Sequence, residues 1–225
     1  MIDNFFKLLG IPSSQLVTCA NQSLYMVFVS LVLGSLIGII FAFTLVLTAK
    51  GGLKENKFVF NTISFVINTV RSIPFIILLV FILPVTKAIV GTRIGTTAAL
   101  VPLTFFIAPY IARLFENSLL EVNKGIIEAA KSMGASTFEI ILHFWIPEAK
   151  SSLILATTIA TISLLGATAM AGVIGAGGVG DLALTYGYER MNSALMTFTV
   201  IVLIIFVQII QALGNFLARR ARGRR

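Results

Sequence analysis

Residues 128–147 read EAAKSMGASTFEIILHFWIP. They lie between two long apolar stretches, 95–114 and 151–174. A charged, helix-forming segment is strongly disfavoured in hydrocarbon, where ionised side chains and unpaired backbone groups find no partners. The segment must leave the bilayer, and its apolar flanks must cross it. That reading makes the chain a membrane protein with a structured loop near its middle.

Working outward, a spanning helix needs about 20 mostly apolar residues. Residues 24–49 meet this and stop at Lys50, Gly51 and Gly52. The second apolar region, 58–84, is interrupted by Arg71 and Pro74. Residues 72–86 alone are too short to cross, so that helix is expected to begin before Arg71, near Ile63. The third, fourth and fifth spans are expected at 95–114, 151–174 and 194–217. The expected fold is an all-α integral membrane protein with five transmembrane helices and a helical loop between spans 3 and 4.

Composition agrees. The 225 residues are 57% hydrophobic and 12% charged, which excludes a separate soluble domain. A net charge of +8 would suit a nucleic-acid binder, but the positions of the cations argue otherwise. Arg219, Arg220, Arg222, Arg224 and Arg225 follow an apolar span directly, where anionic lipid headgroups lie. Lipid is the expected partner of these charges, and no nucleic acid is expected. The lone Cys19 can form no intrachain disulfide and reads as a packing residue. Residues 1–14 lack a basic n-region and a clear cleavage site. Phe5, Phe6, Leu8, Leu9 and Ile11 give them an amphipathic character suited to a membrane surface. The expected organisation is an extracytoplasmic or interfacial segment 1–20, a membrane domain 21–217 and a basic cytoplasmic tail 218–225.

Charge also predicts orientation. Lys50, Lys54, Lys57, Lys124, Lys131, Lys150 and the five terminal arginines fall on one side, with Arg71 and Arg113 in the adjacent halves of their spans. Only Lys7, Lys87, Arg93 and Arg190 fall on the other. The positive-inside bias puts the N-terminus outside and both the central loop and the C-terminus in the cytoplasm.

Within the loop, 125–132 is rich in helix formers and Met133, Gly134 and Ala135 make a turn. Ser136 followed by Glu139 has the spacing of a capping box. Two short helices with a glycine break are expected. Arg71, just before Ser72, Ile73 and Pro74, reads equally as a functional charge or as a snorkelling side chain. Arg113 and Glu116, three apart, read as a structural ion pair. Residues 175–180, GAGGVG, match G-x-G-x-x-G, but a dinucleotide site needs a preceding strand, and a membrane helix stands there. They read as a helix end unwound by glycines, lining the outer mouth of a pathway. The fourth span carries Thr157, Thr158, Thr161, Ser163, Gly166 and Thr168, the small residues of a packing face. Met170 at its end is flexible and apolar, suited to plugging a pore. His143 has no partners for catalysis, and the sequence offers neither a nucleophile set nor a metal-ligand cluster.

Glu128, Ala129 and Ala130, Gly134 six residues after the glutamate, and the closing Pro147 together resemble the EAA loop of ABC-transporter permeases. The usual ending Ile-x-Leu-Pro is replaced by Phe144, Trp145, Ile146 and Pro147, which stay apolar. Over residues 24–213 the chain is similar to the methionine-import ABC permeases, small type I permeases. The resemblance rests on Arg71 through Leu79, Ile89-Val90-Gly91-Thr92, Val101-Pro102-Leu103-Thr104 and Ile111-Ala112-Arg113. It continues in Glu116-Asn117, Leu119-Leu120-Glu121, Ala169-Met170, Gly175-Ala176-Gly177-Gly178 and Tyr186-Gly187-Tyr188.

The resemblance implies a homodimer of five-helix subunits in a bacterial inner membrane, with the substrate path on the two-fold axis. It implies a cytoplasmic ABC ATPase dimer, docked at a coupling helix that includes Glu128, Ala129, Ala130, Gly134 and Pro147. It also implies a substrate-binding lipoprotein outside. Met170 falls where the family's gate methionine sits, with Gly175, Gly177 and Gly178 beside the path. No cofactor is expected in this chain, since ATP and magnesium would sit on the partner, and the chain is not expected to be an enzyme. Import of another amino acid or a small peptide is the nearest alternative. A secondary transporter or channel is more distant, because none of the nine acids lies centrally in a span.

Overall fold

In the computed structural model, residues 10–223 are described. Phe5, Phe6, Leu8, Leu9, Arg224 and Arg225, on which parts of the expectation rested, lie outside the described residues. Eight principal helices run in chain order. They are α1 (Ser13–Thr48), α2 (Lys57–Ser72), α3 (Phe75–Phe81), α4 (Leu83–Val90), α5 (Thr96–Leu120), α6 (Lys124–Ser132), α7 (Ile146–Met170) and α8 (Ser193–Arg222). No strand occurs among the described residues. In lipid only closed hydrogen-bonding patterns survive, and helices satisfy their own backbones.

The α1 helix starts at Ser13, ahead of the expected span start at 24, and runs without a break across the 20/21 boundary. Its 36 residues reach ~54 Å at 1.5 Å per residue, well beyond a hydrocarbon core of about 30 Å. Ile11, just before it, is buried against Cys19, Val179, Leu182 and Leu195. Similarly, α8 extends through Arg222, so the basic tail begins as helix.

Centrality belongs to α5, which packs on α1, α2, α4 and α7. Leu103, Ile107 and Ile111 form its fully buried ridge. The ridge meets Gly34 and Gly38, one turn apart on α1. A Cβ on Gly34 would collide with the Ile107 side chain, and one on Gly38 would stand 2.8 Å from the Ala108 carbonyl oxygen. Apolar helices gain nothing by leaving apolar lipid, so small residues that admit close approach set where they associate.

The second span differs most from expectation. Ile73 is extended (φ −85°, ψ 122°) because the Pro74 ring disfavours helical backbone at the residue before it. The chain therefore turns by 102° between α2 and α3. Four helical stretches are long and apolar enough to cross a membrane, and a fifth span exists only if the bent pair counts as one. A single crossing helix through Arg71 and beyond is not observed.

Replacing Gly38 by Val should force α1 away from α5. Overpacking of this kind costs about 1–3 kcal/mol. The expected result is a lower thermal-unfolding midpoint of the detergent-solubilised protein, while Leu36→Val on the exposed face of α1 leaves it unchanged.

Candidate functional site

Two regions at opposite ends of the bundle carry the expected functional residues. The first is the central loop. Asn123 caps α6, its Oδ1 accepting from the Gly125 N–H at 2.8 Å. At the other end Gly134 takes a left-handed conformation (φ +83°). The Gly134 N–H donates to the Lys131 carbonyl and the Ala135 N–H to the Ala130 carbonyl, at 3.0 and 3.1 Å. This paired pattern is a Schellman stop, and it requires a residue that tolerates positive φ. Nothing lies within 4 Å of a Cβ placed on Gly134. Close helix approach within this chain is therefore not what the glycine serves; the turn is.

The expected capping box is present. The Ser136 N–H donates to Glu139 Oε2 at 2.7 Å and the Glu139 N–H to Ser136 Oγ at 3.3 Å. The second arm, however, is not a separate short helix. One turn (Thr137–Glu139) passes through a π-helical stretch (Ile140–Trp145) directly into α7. Pro147 has no N–H for the His143 carbonyl and crowds it, and the wider turn precedes that position.

The loop is part of the molecule's main apolar core. Ala130, Ile140 and Trp145 are buried in the same cluster as Leu103, Ile107 and Leu164. The Trp145 indole N–H donates to the Leu119 carbonyl at 3.1 Å, and Ser152 Oγ to Glu121 Oε2 at 2.9 Å. Of the expected docking residues, Ala130 faces inward, whereas Glu128, Ala129, Gly134 and Pro147 are exposed. A cleft of about 260 Å³ opens beside α6, lined by Lys50, Lys124, Lys131, Glu128, Leu119 and Trp145 among others. Ser151 Oγ donates to the Ala218 carbonyl at 3.1 Å, bringing the arginine-rich end of α8 to this same end of the bundle.

The second region is the glycine-rich loop after α7. One 3-10 turn (Ala171–Ile174) ends at Gly175 (φ +67°), and Gly177 and Gly178 are also left-handed. Backbone groups approach as the glycine content implies. The Gly178 N–H donates to Gln22 Oε1 at 3.0 Å and the Val179 N–H to Ser23 Oγ at 2.9 Å. The Gly95 N–H donates to the Ile174 carbonyl at 2.9 Å, and Thr96 Oγ1 to the Ala176 carbonyl at 2.8 Å. A Cβ on Gly177 would run into the Gln22 side chain. Gly177 and Gly178 therefore seat the loop on α1, whereas Gly175 stays exposed. Gln22 and Ser23 were not singled out from the sequence; two polar residues near the start of an apolar run were the available signal.

Met170 is 45% exposed. It shares a face of α7 with Ile159 and Gly166, also exposed, at helical spacings of eleven and four. Ser163, between them, donates through Oγ to the Tyr110 hydroxyl at 3.2 Å. Tyr110 in turn lies under the Arg71 guanidinium, 5.8 Å from Cζ to the ring centroid. Arg113 forms the expected ion pair with Glu116 at 2.7 Å and also donates to Asn68 Oδ1 at 3.1 Å, tying α5 to α2. His143 Nδ1 lies 3.3 Å from the Glu139 carbonyl oxygen. No group of three metal-ligating side chains occurs among the described residues.

Comparison with known proteins matches this architecture. The probable D-methionine transport system permease protein MetI of Vibrio cholerae is 46% identical, over 96% of both chains. The methionine import system permease protein MetP of Bacillus subtilis is 47% identical over 77% of this chain and 78% of its own. Among solved structures, an inward-facing conformation of the MetNI methionine ABC transporter superposes with a TM-score of 0.91. It is 42% identical and covers 93% of this chain and 97% of that one. Residues 34–223 match the family described as binding-protein-dependent transport system inner membrane component, and the chain belongs to that family.

Proposed function

We propose that this chain is the membrane-spanning subunit of an ATP-driven importer for methionine and related amino acids. The substrate follows from the relatives' names and from identity that extends over nearly the whole of the Vibrio cholerae chain. The mechanical part rests on one observation. The loop exposes Glu128, Ala129 and Gly134 while Ala130, Ile140 and Trp145 anchor it in the core shared by α5 and α7. A push on the exposed face is therefore transmitted to the spanning helices as a rigid-body movement, because a close-packed core shifts as a unit rather than deforming.

Two copies of the chain surround a path on their common axis. A pair of ATPases docks on the cytoplasmic loops, and a substrate-binding lipoprotein delivers cargo from outside. ATP binding on the partner closes the ATPases and opens the path outward; hydrolysis and product release return it inward. The permease makes no covalent bond itself, and ATP and magnesium stay on the partner. Each state is favoured by what binds it, as alternating access requires. Met170 narrows the path at the axis, with Gly175 beside it, while Gly177 and Gly178 hold the loop against α1. The cation distribution supports a cytoplasmic loop and C-terminus and an extracytoplasmic N-terminus.

Coupling is tested at the loop. Gly134→Trp strains a positive-φ turn and projects bulk from the exposed face, and Glu128→Arg reverses a charge there. Each should insert normally yet lower ATPase association or ATP-driven methionine uptake by about tenfold or more, the effect of losing one charge-assisted contact. Normal assembly and uptake in both would remove the loop from the coupling path.

Orientation is tested with an impermeant thiol reagent on intact cells in a Cys19→Ser background. Arg93→Cys should label and Lys54→Cys should not. The reverse pattern overturns the assignment.

The gate is tested by oxidation of Met170→Cys. Two symmetry-related thiols at the axis should cross-link in the nucleotide-free complex and block uptake. If no cross-link forms in any nucleotide state and Met170→Ala transports normally, Met170 serves packing alone.

A further inference from the structure

Arg71 is next to last in α2, three residues before Pro74, and among the described residues its partner is the face of Tyr110. Tyr110 lies in the middle of a 25-residue helix, about 21 Å from the Thr96 end and about 15 Å from the Leu120 end. Tyr110 is four residues from the loop-side end of the apolar stretch 95–114, so the guanidinium sits in the loop-side half of the membrane. A charge inside a span faces protein or a water-filled cavity and pairs with another charge or with backbone carbonyls, or snorkels to the interface. Yet among the described residues no carboxylate lies within ion-pair distance of Arg71; Glu116 is taken by Arg113. An anion that enters the path can take the place of that carboxylate.

The surroundings fit a particular anion. Ser163 Oγ and the Tyr110 hydroxyl are 3.2 Å apart, and with Ser163 as donor the phenol's own proton can reach a third group. Phe106 stacks beside Tyr110 with centroids 6.4 Å apart, and Phe75 meets Phe106 edge-on at 5.1 Å. One guanidinium, one phenol hydroxyl and an aromatic wall thus stand together. Ser163 precedes Met170 by seven residues, about 10 Å along α7, toward the central loop. The cluster borders the same face of α7 as the exposed Met170 and Gly166.

We propose that Arg71, Tyr110 and Ser163 form an intramembrane binding site for the α-carboxylate of the transported amino acid, on the loop side of the Met170 constriction. The inference rests on the importer reading above and adds where the cargo pauses. Arginine binds a carboxylate through two parallel N–H donors, and Tyr110 donates a third bond. The cargo's apolar side chain packs on Phe106, and a thioether gains further from contact with an aromatic ring. Without cargo the guanidinium rests on the Tyr110 ring, an interaction weak enough to yield to a carboxylate.

The test uses the full permease–ATPase complex in nanodiscs, nucleotide-free, with Cys19→Ser and Ser163→Cys. The thiol at position 163 should react with a small water-soluble thiol reagent. L-methionine at ten times its dissociation constant should slow that reaction about tenfold, following the unoccupied fraction of sites. Methionine amide, which lacks the carboxylate, should not protect. Adding Arg71→Gln should abolish protection by methionine, and Arg71→Lys should keep part of it. An unreactive thiol, equal protection by the amide, or protection that survives Arg71→Gln each overturns the site. Uptake of labelled methionine by the wild-type complex with its binding protein tests the underlying reading separately. Uptake without Arg71-dependent protection removes the site alone, whereas absence of methionine uptake removes the importer reading and the methionine site with it.

Discussion

The contact between α1 and α5 is the constraint on which the rest of the molecule depends. Lipid tails are as apolar as leucine, so burying apolar surface between helices yields almost no solvent-driven gain. What remains is van der Waals contact, and that falls off within about an ångström of extra separation. Gly34 and Gly38 let the Ile107 and Ile111 side chains reach the α1 backbone. With α5 fixed this way, α2 attaches through Asn68 to Arg113, α7 through Ser163 to Tyr110, and the central loop through Trp145 to Leu119. Every region given a functional role touches α5 directly.

Regular helix then fails at three places, each for a separate chemical cause. Pro74 ends α2 because the residue before proline avoids helical backbone. Pro147 coincides with a π-helical entry to α7, since it offers no N–H to the preceding turn. The glycines at 175, 177 and 178 adopt positive φ and lay the chain across α1 and the start of α5. Unpaired backbone at membrane depth is tolerated only against protein or water, and here Gln22, Ser23 and Thr96 take up its donors and acceptors. The residues proposed to carry function lie near these places: Arg71 beside the first, the central loop beside the second, Met170 beside the third.

This arrangement gives α7 a particular mechanical position. One end of it emerges from the loop that Trp145 and Ile140 bury in the core, and the other carries Met170 and the glycine loop. In the proposed mechanism, force applied at the exposed Glu128 face reaches Met170 through α7. On that proposal the Arg71–Tyr110–Ser163 cluster lies along the same line, so movement of α7 changes the Tyr110–Ser163 contact together with the Met170 opening. On the same proposal, cargo release and gate movement are joined in one element.

Much of this was legible in the residues themselves. Hydropathy and charge determined a helical membrane protein with a charged loop, because the bilayer admits few backbone arrangements and penalises charge wherever it occurs. Ser136 and Glu139 announced their capping box and Gly134 its turn, since such bonds are satisfied within a few residues. Arg113 and Glu116 announced their ion pair for the same reason. Residues 34–38, GSLIG, were not singled out from the sequence, and nothing in it says which helix packs on the two glycines. Tertiary structure alone decided that Ile107 and Ile111 do, that Gln22 and Ser23 receive the glycine loop, and that Arg71 meets Tyr110 across two helices. It also decided that Ala130 turns inward while Glu128 and Ala129 stay outside. Local chemistry sets the backbone of each segment; partners many residues away are chosen by the packing of all the helices at once, and no single segment contains that information.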